Sequence, residues 1–316
     1  MKIRLGYACL TKTLDQVTSS SSLSYTNYNK IENKEEKLHQ TILSNLNDLE
    51  KIIDYNIANH IHFYRLSSKL IPLATHKDVT FDYIHPYQSY YERIGKKIHE
   101  NHMRVDFHPD QFCVLNSVKK EVVENSFRIL EYHYQLLNAF NIQNKIIILH
   151  VGSNVFGKEK SIQRFIHNFQ KLPSYLQECI AIENDDKIFN IMDCLEISHK
   201  IHVPIVLDVH HHKCNHDKIN LLDHIEEIFQ TWKKIHPKIH FSSPKNKTKK
   251  EMRSHHDYID SDSFINFLKD VKKFPYDIDV MIEAKAKDEA VFKLIRELKY
   301  KTDFNFIDET TFLNEN

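Results

Sequence analysis

The chain has 316 residues, 41% of them hydrophobic, with Lys+Arg and Asp+Glu balanced at 43 each. The length suits one (β/α)8 barrel of roughly 250 residues plus insertions, and the balanced charge gives no global argument for or against a polyanionic partner. No apolar run approaches the ~20 residues that span a bilayer, and the four glycines (Gly6, Gly95, Gly152, Gly157) fit neither G-x-G-x-x-G nor a P-loop, which excludes membrane-spanning and glycine-loop nucleotide-binding classes.

Strand and helix alternate along the chain. Lys2–Tyr7 is a first strand, and a serine-rich loop at Thr18–Ser24 leads to a helix over Glu35–Asn59, with Leu38, Ile42, Leu46, Leu49, Ile53 and Ile57 at helical spacing. A strand at His62–Leu66 precedes a helix over Tyr87–Asn101. Met103–His108 is followed by a helix at Asn125–Phe140, and Ile146–His150 by one at Lys158–Phe169. Ile180–Glu183 leads to Ile188–Ile201, Pro204–Asp208 to Leu221–Ile235, Lys238–His240 to Asp262–Lys272, and Asp279–Glu283 to Lys287–Leu298. Strict alternation predicts a doubly wound sheet or a barrel in one domain spanning 1–316. Five scattered cysteines without C-x-x-C spacing read as reduced thiols, which predicts a cytoplasmic protein.

Strand ends distinguish the two folds. His108, His150, Glu183, Asp208, His240 and Glu283 each stand at the C-terminal limit of an apolar strand. An open sheet gathers ligands only where its strand order reverses, whereas a parallel barrel brings every strand end to one mouth. The expected fold is therefore an α/β TIM barrel with a metal cluster at its C-terminal mouth. With 22 histidines any single one means little; the joint placement carries the argument. Three carboxylates crowded there would repel and take raised pKa values unless cations lay among them. Two or three divalent ions meet that requirement, with His211 and His255 available for a third. Mixed imidazole and carboxylate ligation without thiolate fits Mn2+ best, with Zn2+ or Mg2+ as alternatives. Such a cluster suits in-line phosphoryl displacement, and a metal-dependent sugar isomerase is the rival. The lysines between Trp232 and Lys250 read as a solvated loop that would lie near the mouth.

Several motifs bear on that choice. They are Leu5-Gly-Tyr7, Arg65-Leu-Ser-Ser-Lys-Leu-Ile-Pro72, His108-Pro-Asp-Gln-Phe112, Leu149-His-Val-Gly152 and Ile182-Glu-Asn-Asp185. Leu207-Asp-Val-His-His211, Pro237-Lys-Ile-His240, His255-His-Asp-Tyr-Ile259 and Asp279-Val-Met-Ile-Glu-Ala-Lys285 continue the series. Together they resemble the UV-damage endonuclease family of DNA-repair enzymes, related in fold to abasic-site endonucleases and xylose isomerases. The resemblance implies incision of damaged double-stranded DNA on the 5′ side of pyrimidine dimers and similar distortions, leaving a 3′-hydroxyl; the enzyme is expected to be a monomer.

Carried over by motif, His108, His150 and Glu183 hold one ion. Glu183 bridges to a second on Asp208, His240 and Glu283, and His211 and His255 serve a third. Lys238 matches a family lysine that can be N6-carboxylated, and His76 a histidine near the scissile phosphate. Glu183, Lys238 and His76 thus form the implied catalytic set. Lesion contacts fall to Tyr7, Gln111 and Phe112, and phosphate contacts to Lys158, Lys160 and Arg164. The chain departs from the family pattern in carrying Phe112 where some members have Tyr, and Thr11 where some have Asn.

Overall fold

The structure, a computed structural model, describes residues 1–246, 248 and 251–315. In chain order the elements begin with β1 (Lys2–Ala8), α1 (Tyr25–Tyr28), α2 (Lys34–Ala58), β2 (Phe63–Arg65), α3 (Gln88–Glu100), β3 (Arg104–Asp106), α4 (Lys120–Ala139) and β4 (Ile147–His150). They continue with α5 (Lys158–Phe169), α6 (Ser174–Gln177), β5 (Ile180–Glu183), α7 (Ile191–Ile201), β6 (Ile205–Asp208), α8 (Val209–Cys214), α9 (Ile225–Gln230) and β7 (Lys238–Phe241). The last are α10 (Ser261–Val271), β8 (Ile278–Ile282), α11 (Lys287–Lys301), β9 (Asn305–Phe306) and β10 (Thr311–Leu313).

The strands pair in the order β3-β2-β1-β8-β7-β6-β5-β4 and run parallel from β1 to β8. A parallel bridge between Phe107 and Ile147 draws β3 to β4 and brings the sheet round into a barrel. This is the expected TIM barrel. The helix expected over Leu221–Ile235 is shorter, a 3-10 turn at Leu221–Asp223 followed by α9. No expectation covered α8, or the β9–β10 hairpin that pairs antiparallel with the start of β1 (Lys2↔Leu313).

The strands' period of two divides the core into an outside and an inside. Ile3, Leu5, Tyr7, Tyr64, Val105, Phe107, Leu149, Ile182, Leu207, Ile239 and Val280 face outward into the large cluster beneath the helices. The alternate residues fill the barrel and are far more polar. At the bottom, Arg4 and Arg104 both donate to Asp279 (2.6–2.8 Å). Trp232, its ring 5.0 Å from the Arg104 guanidinium, packs there with Ile146, Ile148, Ala181 and Val206. Higher up, Lys238 and Asp106 form a fully buried pair at 2.7 Å beside the Phe63 ring. The next inward positions are Arg65, His108, His150, Glu183, Asp208 and His240. Buried charges need partners or metal, so a charged interior of this kind prefigures the mouth above it.

Candidate metal centre at the barrel mouth

Six candidate ligands, His108, His150, Glu183, Asp208, His240 and Glu283, arrive at the mouth because each terminates, or closely follows, an apolar strand with an inward-facing register. Three trios bring their ligand atoms within 4.8 Å of one another: His108, His150 and Glu183; Glu183, Asp208 and His211; Asp208, His240 and Glu283. Glu183 and Asp208 each belong to two. The first and last trios are the ligand groups expected from the sequence. His211 joins Glu183 and Asp208 rather than His255, whose Nδ1 is 3.9 Å from Glu283 and which lies outside all three trios.

Glu183 is the hub. Its Oε2 is 2.8 Å from His108 Nε2 and 3.7 Å from His150 Nε2, while its Oε1 is 2.8 Å from His240 Nδ1 and 3.6 Å from His211 Nδ1. Main-chain carbonyls fix two of the rings further. His108 Nδ1 faces Pro109 O at 3.0 Å and His211 Nδ1 faces Asn184 O at 3.0 Å. Asn184 ties β5 to β6 by exchanging side-chain hydrogen bonds with the main chain of Asp208 (2.9 and 3.0 Å). Such outer partners orient metal-binding rings.

The electrostatics fit cations. Asp208 Oδ1 caps α8 by accepting from His211 N, but Asp208 Oδ2 and His150 Nδ1 are buried without a hydrogen-bond partner. Burial, only partly offset by His211, pushes Asp208 up to about 8. Burial pulls His211 the other way, yet Asp208, Glu183 and Glu283 outweigh it and lift His211 to about 9. Burial drives His240 down to about 4 and also lowers His150, leaving both as neutral imidazoles suited to ligation. The expectation of three raised carboxylates needs correcting: burial disfavours ionisation of Glu183 and Glu283 too, but His240 and His150 at one, and Arg65 and His240 at the other, hold them well below the usual range.

Arg65 went unassigned in the sequence. Its Nη2 lies 2.7 Å from both Glu283 Oε1 and His240 Nε2, placing a permanent cation within the ligand shell. The signal was its position at the inward end of β2. Lys238 is fully buried below the ligands and directed at Asp106; burial lowers it to about 8 despite that partner.

The remaining expected contacts divide. Gln111 and Phe112 are exposed in the loop after β3, Phe112 by 63%. His76 stacks on Tyr25 (centroids 4.1 Å) beside a groove of about 620 Å3 whose lining also includes Lys77, Asp110, Phe112 and Arg128. Tyr7 is a correction: it is fully buried on the outer face of β1, its hydroxyl donating to Asn56 in α2 at 2.7 Å, because period two turns it away from the mouth. Thr11 is buried as well and donates to Asp288. Arg164 is another correction. It donates to the carbonyls of Asn116 (3.0 Å) and Val155 (2.5 Å) and to Ser161 Oγ (2.8 Å), so it braces two loops instead of standing free for phosphate. Lys158 pairs with Asp193 at 2.8 Å, and Lys160 is exposed. Of the lysine-rich stretch, Lys233 and Lys234 precede β7 and so lie at the opposite end from the mouth, Lys245 pairs with Glu251, and Lys247, Lys249 and Lys250 lie outside the described residues.

Comparison with known proteins bears on the rival chemistries. The sequence pattern of the family UV-endonuclease UvdE matches residues 3–312. The UV DNA damage endonuclease of Bacillus cereus (strain B4264) is 39% identical over 303 residues, covering 94% of this chain and 95% of the relative. The crystal structure of SacUVDE superposes with a TM-score of 0.86 at 34% identity, covering 94% of this chain and 98% of that one. Endonuclease IV from Thermus thermophilus shares the barrel at 10% identity and a TM-score of 0.57, covering 94% of this chain and 98% of that one, a likeness of fold alone. With the family pattern and these relatives spanning nearly its whole length, the chain belongs to the UV-endonuclease UvdE family.

Proposed function

We propose that this chain is a metal-dependent DNA-repair endonuclease that cuts the backbone of damaged double-stranded DNA on the 5′ side of UV photoproducts, leaving a 3′-hydroxyl. The observation that carries the reading is the set of three ligand trios linked through Glu183 and Asp208, with buried ligand atoms still lacking a partner, in a chain of this family. Two or three bound divalent ions, Mn2+ by preference, supply Lewis-acid polarisation of a phosphate and activation of water. His108, His150 and Glu183 would hold one, and Asp208, His240 and Glu283 another, with Glu183 and Asp208 linking both to His211; His255 supports Glu283 from outside.

The protein's own groups do the rest. Asp78 N donates to His76 Nδ1 at 3.3 Å, which leaves Nε2 as the nitrogen that can donate to a phosphate oxygen. Arg65 fixes Glu283 and His240 by charge-assisted hydrogen bonds. Burial of the Lys238 amine favours its neutral form, which can add carbon dioxide and release a proton to give an N6-carboxylate; intact mass under native conditions tests for the increment. Gln111 and Phe112, exposed in the loop after β3, would enter a poorly stacked lesion step, and Lys158 and Lys160, at the start of α5, would contact phosphate. The enzyme is proposed to act as a cytoplasmic monomer; no described helix is long and apolar enough to cross a membrane.

The test is incubation of UV-irradiated and untreated duplex with purified protein and Mn2+. End-mapping should place cuts 5′ to photoproducts in the irradiated duplex, with 3′ ends that a polymerase extends. Equal cutting of both duplexes, or of neither, overturns the proposal.

A further inference from the structure

Large exposed hydrophobic side chains are unevenly distributed on this molecule. Among the described residues they are Phe112, Val118, Val155, Phe156, Tyr175, Met192, Tyr300 and Ile307, and the first four fall in just two loops. One loop follows β3 and the other β4, neighbouring strands joined by the Phe107–Ile147 bridge. Each leaves a candidate metal ligand, His108 or His150, whose rings are 5.1 Å apart. Clustered exposed apolar groups mark an interaction surface, whereas single ones are ordinary. Lys119, Lys120 and Lys160 are exposed alongside, a mixture of aromatic and basic groups that suits nucleic acid.

Phe156 is 74% exposed and has φ of +66°, a left-handed conformation costly for a bulky residue. The loop is held in that form. Asn116, in the loop that also carries Phe112, accepts from Ser153 N at 2.9 Å and donates to Ser153 O at 2.8 Å. Arg164 bonds the carbonyls of Asn116 and of Val155, the residue before Phe156. Gly152, at φ +112°, admits the clamp, since a Cβ there would come within 2.5 Å of Asn116 Oδ1. An aromatic ring has thus been fixed in solvent, at conformational cost, on a loop braced to the one bearing Phe112.

We propose that Phe156 is a second DNA-stacking residue, covering a base unstacked at the lesion while Phe112 occupies the neighbouring loop. A wedge that opens a step exposes a base face on each side, and one ring covers only one of them. The inference rests on reading the site as a lesion-directed nuclease, and its test separates the two claims.

The chain's one tryptophan, Trp232, is buried, so Phe156→Trp introduces an exposed reporter. Rapid mixing of the Mn2+-loaded Phe156→Trp protein with UV-irradiated duplex should quench its fluorescence, with affinity close to wild type. Phe156→Ala should weaken binding of that duplex about tenfold, change untreated duplex much less, and leave metal content unaltered. If wild type discriminates damaged from untreated DNA while Phe156→Ala binds both as wild type does, Phe156 has no such role and the nuclease reading stands. Lost affinity without quenching, or together with lost metal, shows a supporting role in the loop or a different partner for the patch, and overturns the inference. Failure of wild type itself to discriminate overturns both.

Discussion

Asp208 Oδ1 accepts from His211 N at 2.7 Å, so one carboxylate oxygen starts the helix carrying the next ligand while the other, Oδ2, stays buried without a hydrogen bond. The two oxygens have separate tasks, and substitution can separate them. Asp208→Asn keeps an oxygen able to cap α8 but removes the charge. Helix content by circular dichroism should stay at the wild-type level, while metal analysis should find at least one ion fewer per chain. Full metal content in this variant would show that Oδ2 is not a ligand.

Glu183→Gln removes the charge that faces four imidazoles. Loss of metal together with incision of UV-irradiated duplex is expected, without loss of the folded barrel. Wild-type metal content and turnover would sink the idea that Glu183 is shared between ions.

Phe112→Ala removes an exposed ring beside the His76 groove. An aromatic–base stack is worth about 1–3 kcal/mol, so binding of damaged duplex should weaken by about one to two decades. Untreated duplex, held by phosphate contacts, should change much less. Titrations of both duplexes, with metal content measured in parallel, check this; equal losses would make Phe112 a general contact.

Lys238 and Asp106 are a fully buried ion pair. Once intact mass shows the amine to be free, Lys238→Met should destabilise the protein by about 3–5 kcal/mol in denaturant unfolding, because Asp106 is left buried and unpaired. Adding Asp106→Leu should restore most of that. A double variant as unstable as the single one would mean that packing, not the lone charge, sets the cost.

Burial pushes His133 down to about 4, against an ordinary value near 6.5 in the unfolded chain. The unfolded state therefore binds the proton first as pH falls. The penalty is absent above about pH 6.5, accumulates down to about pH 4, and reaches on the order of 3 kcal/mol at most. His133→Leu should lose less stability than wild type between pH 6.5 and 4, measured by unfolding at each pH. Parallel curves would show that His133 does not carry this dependence.

The candidate ligands were legible because strand chemistry is local. A short, continuously apolar run that stops on His150, Glu183 or Asp208 announces both the strand and the polar residue that closes it. In β1 the alternation of side chains along the strand places Tyr7 outward with Ile3 and Leu5; the motif around it suggested a lesion contact that its register forbids. Arg164 misled for a different reason. A basic residue in α5 looks free in sequence, and only the fold brings it against the carbonyls of Asn116 and Val155.

By itself the sequence determined the strand–helix alternation, the strand ends that carry the candidate ligands, and through its motifs the family. Tertiary structure alone decided which candidate ligands lie within 4.8 Å of one another, that Glu183 and Asp208 each join two trios, that Arg65 reaches Glu283 and His240, and that the loop bearing Phe156 is tied to the loop bearing Phe112 through Asn116 and Ser153. Period and composition act over a few residues, whereas these contacts join residues tens to hundreds of positions apart. Their geometry exists only once β3 and β4 have closed the barrel.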